Sequence, residues 1–158
     1  MLQAELAKLR SNCMTRKVGA VIAKNHRQLA TGYNGTPPGM LNCYEGGCDR
    51  CSDRMRGLVK SGHGLERCLC THAEANAIIH CAILGIGAVS GATLYSTATP
   101  CLDCSKMAIT IGIRRFVCIH AYPEDTRSLV RDAGIETLLL NQSVIDKWLD
   151  SLLAEQVR

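Results

Sequence analysis

Aromatic side chains are scarce in this sequence: Phe116, Trp148 and four tyrosines are all that its 158 residues contain. A surface that stacks bases needs aromatics interleaved with basic residues, and the net charge of +4 is spread along the chain without a continuous basic tract. Both shortages weigh against nucleic acid as a partner and fit a small anionic substrate better. Long apolar runs are lacking too. None approaches the roughly 20 residues that a membrane span requires. The N-terminus MLQAELAKLR alternates charge with Leu2, Leu6 and Leu9, where a secretory leader would carry an apolar core. A cytoplasmic protein with no membrane partner is expected. No repeat, low-complexity tract or linker interrupts the chain, and 47% apolar content is ample for one core, so residues 1–158 are expected to form a single domain.

Cysteine, by contrast, is abundant, with ten in all. Such a number suits a secreted disulfide scaffold, but those scaffolds are short and loop-rich, whereas long periodic apolar segments fill most of this chain. Metal binding accounts better for the thiols.

The periodicity predicts a helix over residues 1–10, broken by Ser11 and Asn12. KVGAVIA (17–23) and RQLATGYN (27–34) flank a polar turn at Asn25 and His26 and read as a β-hairpin, after which GTPPG (35–39) leaves the sheet. Residues 40–70 show little periodicity and hold Cys43, Cys48, Cys51, Cys68 and Cys70, a Cys-rich insertion whose length demands an anchor. From Thr71 the pattern turns helical and almost wholly apolar, which predicts a buried helix stopped by Gly85 and Gly87. ATLYST (92–97) reads as a strand, PCLDCSKMAITIG (100–112) as a helix with Pro100 at its first position, and RRFVCIHA (114–121) as a strand. EDTRSLVRDAG, IETLLL and SVIDKWLDSLLAEQ complete a helix, a strand and a helix. The order α-ββ-α-β-α-β-α-β-α predicts an α/β domain of three layers, α-β-α, whose five-stranded mixed sheet is covered on both faces.

Within this frame His72 and Glu74 open one helix, and Cys101 and Cys104 the next. Successive βα units bring helix N-termini to one edge of a sheet, so the four can converge. Two thiolates and an imidazole suit zinc, and three protein ligands leave a fourth tetrahedral position for water, the arrangement of a catalytic site. Glu74, two residues from His72, can face that water without occupying the metal and accept its proton. H-x-E followed by P-C-x-x-C is the signature of zinc-dependent nucleobase deaminases. A CxxC alone in a cysteine-rich chain is often chance, and a lone buried histidine is usually a satisfied core residue; it is their order and spacing together that carries the signal.

SNCMTRKVGAVIA, GYNGTPPG, HAEANAI, TPCLDCSKMAITIGI and AGIE stand in register over about residues 11–136. In these stretches the chain resembles the cytidine and deoxycytidylate deaminase family, and within it the deoxycytidylate (dCMP) deaminases. The resemblance implies a cytidine-deaminase-like fold and hydrolytic deamination of dCMP to dUMP and ammonia, which supplies the precursor of dTMP. It also implies a homo-oligomer, often a hexamer, with dCTP, together with Mg2+, as activator and dTTP as inhibitor. Carried onto this sequence, it places the catalytic zinc on His72, Cys101 and Cys104 and the proton shuttle on Glu74. Substrate contacts fall on Asn34 for the sugar 3′-hydroxyl, the Ala73 N–H, the Thr99 carbonyl and Tyr122 near the base. The residues themselves leave the phosphate less defined. Gly35, Thr36 and Gly39 could present N–H groups, and Arg50 and Arg54 lie among the charges of the insertion, where a solvated loop face is the simpler reading. His80 reads as an ordinary helix residue. Two other classes stay open: a deaminase of other cytosine nucleotides such as dCTP or of tRNA adenosine, and a non-catalytic zinc-stabilised interaction module, against which Glu74 speaks.

The other thiols are expected to hold one or two structural zincs. CDRC (48–51) has the spacing of a zinc knuckle. Cys68 and Cys70, two apart, would point to opposite sides of an extended segment and so serve different metals. One site would then take Cys48, Cys51, Cys68 and His63, and a second Cys13, Cys43 and Cys70 with a fourth ligand unassigned; a single site drawn from the seven is the alternative.

Overall fold

The structure, a computed structural model, describes residues 1–87, 89–122 and 126–155. Six helices and five strands alternate along it: α1 (Leu2–Lys8), β1 (Gly19–Lys24), β2 (Arg27–Tyr33), α2 (Asp49–Met55), α3 (Ala73–Ile83), β3 (Thr93–Ala98), α4 (Leu102–Thr110), β4 (Arg115–His120), α5 (Arg127–Asp132), β5 (Glu136–Leu139) and α6 (Gln142–Glu155). The strands form one mixed sheet in the order β2-β1-β3-β4-β5. β1 pairs antiparallel with β2 and β3, while β3-β4 and β4-β5 are parallel. Asn25 and His26, at φ 50° and 62°, make the hairpin turn, whose two positive φ values suit the right-handed twist of the strands.

Two glycines set the first two layers. In the β1-β2 register Gly19 faces Tyr33 and Ala20 faces Gly32, so Gly19 and Gly32 open onto opposite faces of the sheet. A Cβ on Gly19 would lie 2.0 Å from the Ala4 carbonyl of α1, and one on Gly32 would lie 2.1 Å from the Ala73 carbonyl of α3. Each helix therefore packs with its backbone against the strand, α1 on one face and α3 on the other. The core on the α3 face runs through Ala20, Ile22, Ala77, Cys81, Leu94, Phe116 and Cys118.

Several sequence expectations are corrected. α3 is not buried all round: its alanine face and Cys81 pack inward, whereas Ile79, Ile83 and Leu84 are exposed, because only the small-residue side can approach the strands so closely. β5 is an edge strand and is exposed along its length. Pro100 precedes the N-cap of α4, which is Cys101. The insertion contains a helix, α2, and two single 3-10 turns at Cys43–Glu45 and Leu65–Arg67, none of them visible as periodicity. The expected helix starts at Glu124 and Asp125, and the expected end at Gln156, lie outside the described residues. No helix among the described residues is long and apolar enough to cross a membrane.

Candidate active site and metal centre

α3 and α4 follow β2's insertion and β3 respectively, and their first turns meet at the C-terminal edge of the parallel strands. His72 is the N-cap of α3 and Cys101 the N-cap of α4. Their extended backbone turns the side chains across the helix ends. His72 Nδ1 lies 3.3 Å from Cys101 Sγ and 3.6 Å from Cys104 Sγ. Around a tetrahedral zinc with Zn–N and Zn–S bonds of about 2.0 and 2.3 Å, the N···S edge is roughly 3.6 Å. The donor set and its spacing fit the metal.

Charge is shared strongly within this group. The Cys101 thiol is held down to about 4, first by its hydrogen bond with Cys104 and then by that with His72, against the opposing effect of burial. The Cys104 thiol is pushed up by the same Cys101 contact and by burial, and the His72 imidazole is raised to about 9 chiefly by Cys101. One proton-poor sulfur and one proton-rich ring side by side form a pair whose protons a divalent cation displaces.

Glu74 is 3% exposed, and burial pushes its carboxyl above the usual range. Its Oε1 accepts a 2.6 Å hydrogen bond from Ser96 Oγ. Ser96 stands fully buried on β3, on the same face as Leu94, and fixes the carboxylate toward the metal side of α3. Sequence reasoning missed it; the signal was a serine at an inward position of a buried strand. Asn76, also missed, donates from Nδ2 to the Tyr33 carbonyl at 2.7 Å and ties α3 to the end of β2.

One cleft joins His72, Glu74 and Cys101 to Val18, Asn34, Ala73, Thr99 and Tyr122 and, on the other side, to Arg16, Arg50, Arg54 and Leu65. The Tyr122 ring lies 6.4 Å from that of His72, the Tyr122 backbone N–H donates to Thr99 Oγ1 at 2.6 Å, and the Arg16 guanidinium sits 5.9 Å over the tyrosine face. The Ala73 N–H, at the first position of α3, has no acceptor among the described residues. Asn34 is heavily engaged. Its Oδ1 accepts from Ser11 Oγ and the Val18 N–H, and its Nδ2 donates to the Arg16 carbonyl, so it fastens residues 11–18 to the end of β2 and keeps one N–H hydrogen uncommitted.

Gly35 and Thr36 are corrected as phosphate donors. The Gly35 N–H donates to the Thr71 carbonyl and the Thr36 N–H to Asn12 Oδ1, and neither residue lines the cleft. His80 is exposed and contacts the Thr31 carbonyl, away from the cleft. His63 is corrected as a metal ligand: it is exposed, and its role in the loop is to offer its carbonyl to the Arg50 guanidinium. The pairing of Cys68 and Cys70 with different metals is corrected as well, since their Sγ atoms belong to one close group with Cys48 and Cys51. The chain leaves a 3-10 turn at Cys68 and bends at Cys70, so strand alternation does not apply.

A mixed sheet of this order, with an imidazole and two thiols on the first turns of consecutive helices and a buried glutamate beside them, defines a zinc-site α/β domain of the cytidine-deaminase-like class. The family model described as "cytidine and deoxycytidylate deaminase zinc-binding region" matches residues 1–120, and the chain belongs to that family. It is 44% identical over 138 residues to the deoxycytidylate deaminase of Schizosaccharomyces pombe, covering 86% of this chain and 41% of that protein. To the deoxycytidylate deaminase of Mycobacterium phage D29 it is 40% identical over 127 residues, covering 78% of this chain and 90% of that one. The crystal structure of dCMP deaminase from cyanophage S-TIM5, in complex with dCMP and dUMP, aligns with a TM-score of 0.70 at 32% identity over 88% of this chain and 92% of that one. The chain spans about two fifths of the length of the yeast relatives it matches.

Proposed function

We propose that the chain hydrolyses the amino group of dCMP to give dUMP and ammonia. The observation that carries this is the convergence of His72, Cys101 and Cys104 within one group, with the buried Glu74 beside it and an open cleft in front. The names of the yeast and phage relatives and the dCMP and dUMP bound to the cyanophage protein support the substrate.

His72 Nδ1, Cys101 Sγ and Cys104 Sγ would hold zinc, which when bound supplies the Lewis acidity that makes water nucleophilic near neutral pH. Glu74 moves the protons: it takes one from the attacking water and delivers it to ring N3 as C4 becomes tetrahedral, then takes the second from the new C4 hydroxyl and delivers it to the amine, which leaves as ammonia as the C4 carbonyl forms. Burial and the Ser96 hydrogen bond hold its carboxyl in place for both transfers. The Ala73 N–H and the Thr99 carbonyl are the backbone contacts for O2 and the amino group, Tyr122 lies against the base, and the uncommitted Asn34 N–H suits the sugar hydroxyl. For the phosphate we favour Arg16 and Arg54 at the open side of the cleft, since Arg50 is spent on the His63 carbonyl. Family regulation belongs to the same reading: dCTP with Mg2+ activates, dTTP inhibits, and the unit is a homohexamer, for which the exposed Ile79, Ile83 and Leu84 supply apolar surface.

The test is ammonia release from a panel of dCMP, CMP, dCTP, deoxycytidine and a tRNA, with native and Glu74→Gln protein. dCMP should be turned over fastest, and Glu74→Gln should keep its zinc while losing about 10² to 10⁴-fold in rate. Near-native turnover by Glu74→Gln, or preference for the tRNA, would overturn the reading.

A further inference from the structure

Beside the catalytic group lies a second concentration of sulfur that the deamination reaction does not use. Cys13, Cys43, Cys51 and Cys70 have their Sγ atoms within 4.8 Å of one another, and so do Cys48, Cys51, Cys68 and Cys70. The two groups share Cys51 and Cys70. The shared Cys51 Sγ lies 3.9 Å from Cys13 Sγ on one side and 3.9 Å from Cys68 Sγ on the other, and Cys48 and Cys68 within the second group are also 3.9 Å apart. A disulfide would bring two sulfurs to about 2.05 Å, and all ten cysteines are free. Around a tetrahedral zinc with Zn–S bonds of about 2.3 Å the S···S edge is roughly 3.8 Å, which is the spacing seen.

We propose that these six cysteines hold two zinc ions in a binuclear thiolate cluster, with Cys51 and Cys70 bridging both metals, Cys13 and Cys43 completing one, and Cys48 and Cys68 the other. Six thiols then satisfy two four-coordinate sites, and the fourth ligand missing from a Cys13–Cys43–Cys70 site is a shared sulfur.

Three further features agree. Burial without metal has little to work with here: the apolar core of the insertion consists of cysteines, with Met14 the one other apolar side chain packed against them among the described residues, and Leu41, Leu58 and Leu69 are exposed. Donors surround the sulfurs as they do around structural metal sites. The Leu69 N–H reaches Cys48 Sγ at 3.4 Å, and the Thr15 hydroxyl lies 3.5 Å from Cys13 Sγ and 3.7 Å from Cys51 Sγ. Six thiolates with two divalent cations leave a net charge of −2, and Arg50, 3% exposed, next to Cys51 on α2 and two residues after its N-cap Cys48, places a buried cation on the same helix. An iron–sulfur cluster fits less well, because its bridging atoms are sulfide and its ligands four thiolates, whereas here six sulfurs form two groups of four that share Cys51 and Cys70. Cys68 and Cys70 also line the cleft with His72, so the cluster forms a wall of the active site.

Metal content of the purified full chain, by elemental analysis, should be three zincs per chain. The Cys101→Ser/Cys104→Ser double variant should keep two, so that failure of the cluster and failure of the catalytic site are told apart. After exchange into cadmium-113, NMR of the same double variant should show two tetrathiolate resonances, each split by the other through the bridging sulfurs. Cys70→Ser should lose both cluster metals and Cys43→Ser retain one. If those variants do not fold, the cadmium spectrum of the protein with Cys43 and Cys70 intact still decides. A single cluster metal, two cadmium signals without mutual splitting, or iron with acid-labile sulfide would each overturn the proposal.

Discussion

Cys101 and Cys104 sit at the start of a regular nine-residue helix that follows a buried strand, whereas Cys43, Cys48, Cys68 and Cys70 sit in chain whose regular structure amounts to two single turns and the seven residues of α2. In the first region the sheet and its crossover connections place the three donors, so a metal would meet a site already formed. In the second there is almost no apolar side chain to bury, so in the proposed cluster the coordination bonds would supply the free energy that orders about thirty residues. In this reading the same amino acid serves as a catalytic part held by the fold and as the core of a segment that has almost no other. Removing metal should consequently do opposite things in the two places.

The largest effect expected is on turnover from the first region. Cys101→Ser takes away a ligand from the group with His72 and Cys104, and dCMP deamination should fall by more than about 10³-fold, beyond the roughly 10- to 100-fold that loss of a supporting contact costs. Stability should hardly change, because Cys101 is a partly exposed N-cap. Thermal unfolding would show this; a large drop in melting temperature would mean that this metal too is a structural support and would erase the contrast.

Next in size is the converse. Cys70→Ser should cost at least about 3 kcal/mol, or roughly 6 to 12 °C in melting temperature for a chain of this length. It should also expose the amides of the insertion to rapid hydrogen exchange while β1, β3 and β4 stay protected. Uniform loss of protection across the sheet would show that the two regions unfold as one and are not separately held.

How far each region was legible follows from the same physics. The strand and helix order, the hairpin at Asn25 and His26, and the grouping of His72, Cys101 and Cys104 could be read because they depend on periodicity and on helix starts, which are local in sequence. The partial exposure of α3 could not, since Ile79 and Ile83 look as buried as Cys81 until the close approach at Gly32 shows which side packs. In the insertion, Cys48-x-x-Cys51 was readable as a half-site, but the shared positions of Cys51 and Cys70 depend on a bend at Cys70 and on contacts with Cys13 that lie 38 and 57 residues away in the numbering. His63 had the right chemistry and the wrong place. Phosphate contacts were misassigned to Gly35 and Thr36 because nothing in the sequence reveals that Asn12 and Thr71 already take their N–H groups.

A smaller effect sharpens the catalytic side. Ser96→Ala removes the hydroxyl that holds Glu74 Oε1 and leaves a buried carboxyl without that partner, at a cost of about 1 to 3 kcal/mol in stability. The metal ligands are untouched, so zinc content should stay native. The rate constant kcat should fall roughly 10-fold with little change in KM, since the substrate meets Glu74 and not Ser96. An unchanged kcat would mean that α3 alone orients the carboxylate.

The smallest effect lies where the two regions touch. Thr15 Oγ1 is 3.5 Å from Cys13 Sγ and 3.7 Å from Cys51 Sγ, and the same residue lines the cleft in front of His72. Thr15→Val keeps the shape of the side chain and deletes the hydroxyl, so any change comes from the lost hydrogen bonds to sulfur. Such outlying donors typically tune metal affinity about 10- to 100-fold, whereas a half-exposed hydroxyl contributes only about 1 kcal/mol to folding. Transfer of the cluster metals to a competing chelator should therefore be roughly 10-fold easier, with the melting temperature lower by only a few degrees. Turnover of dCMP, measured before any metal is lost, should change less than metal retention does. The opposite order, slower turnover with native metal retention, would assign Thr15 to the substrate and place the boundary between the two sets of thiols on the other side of that residue.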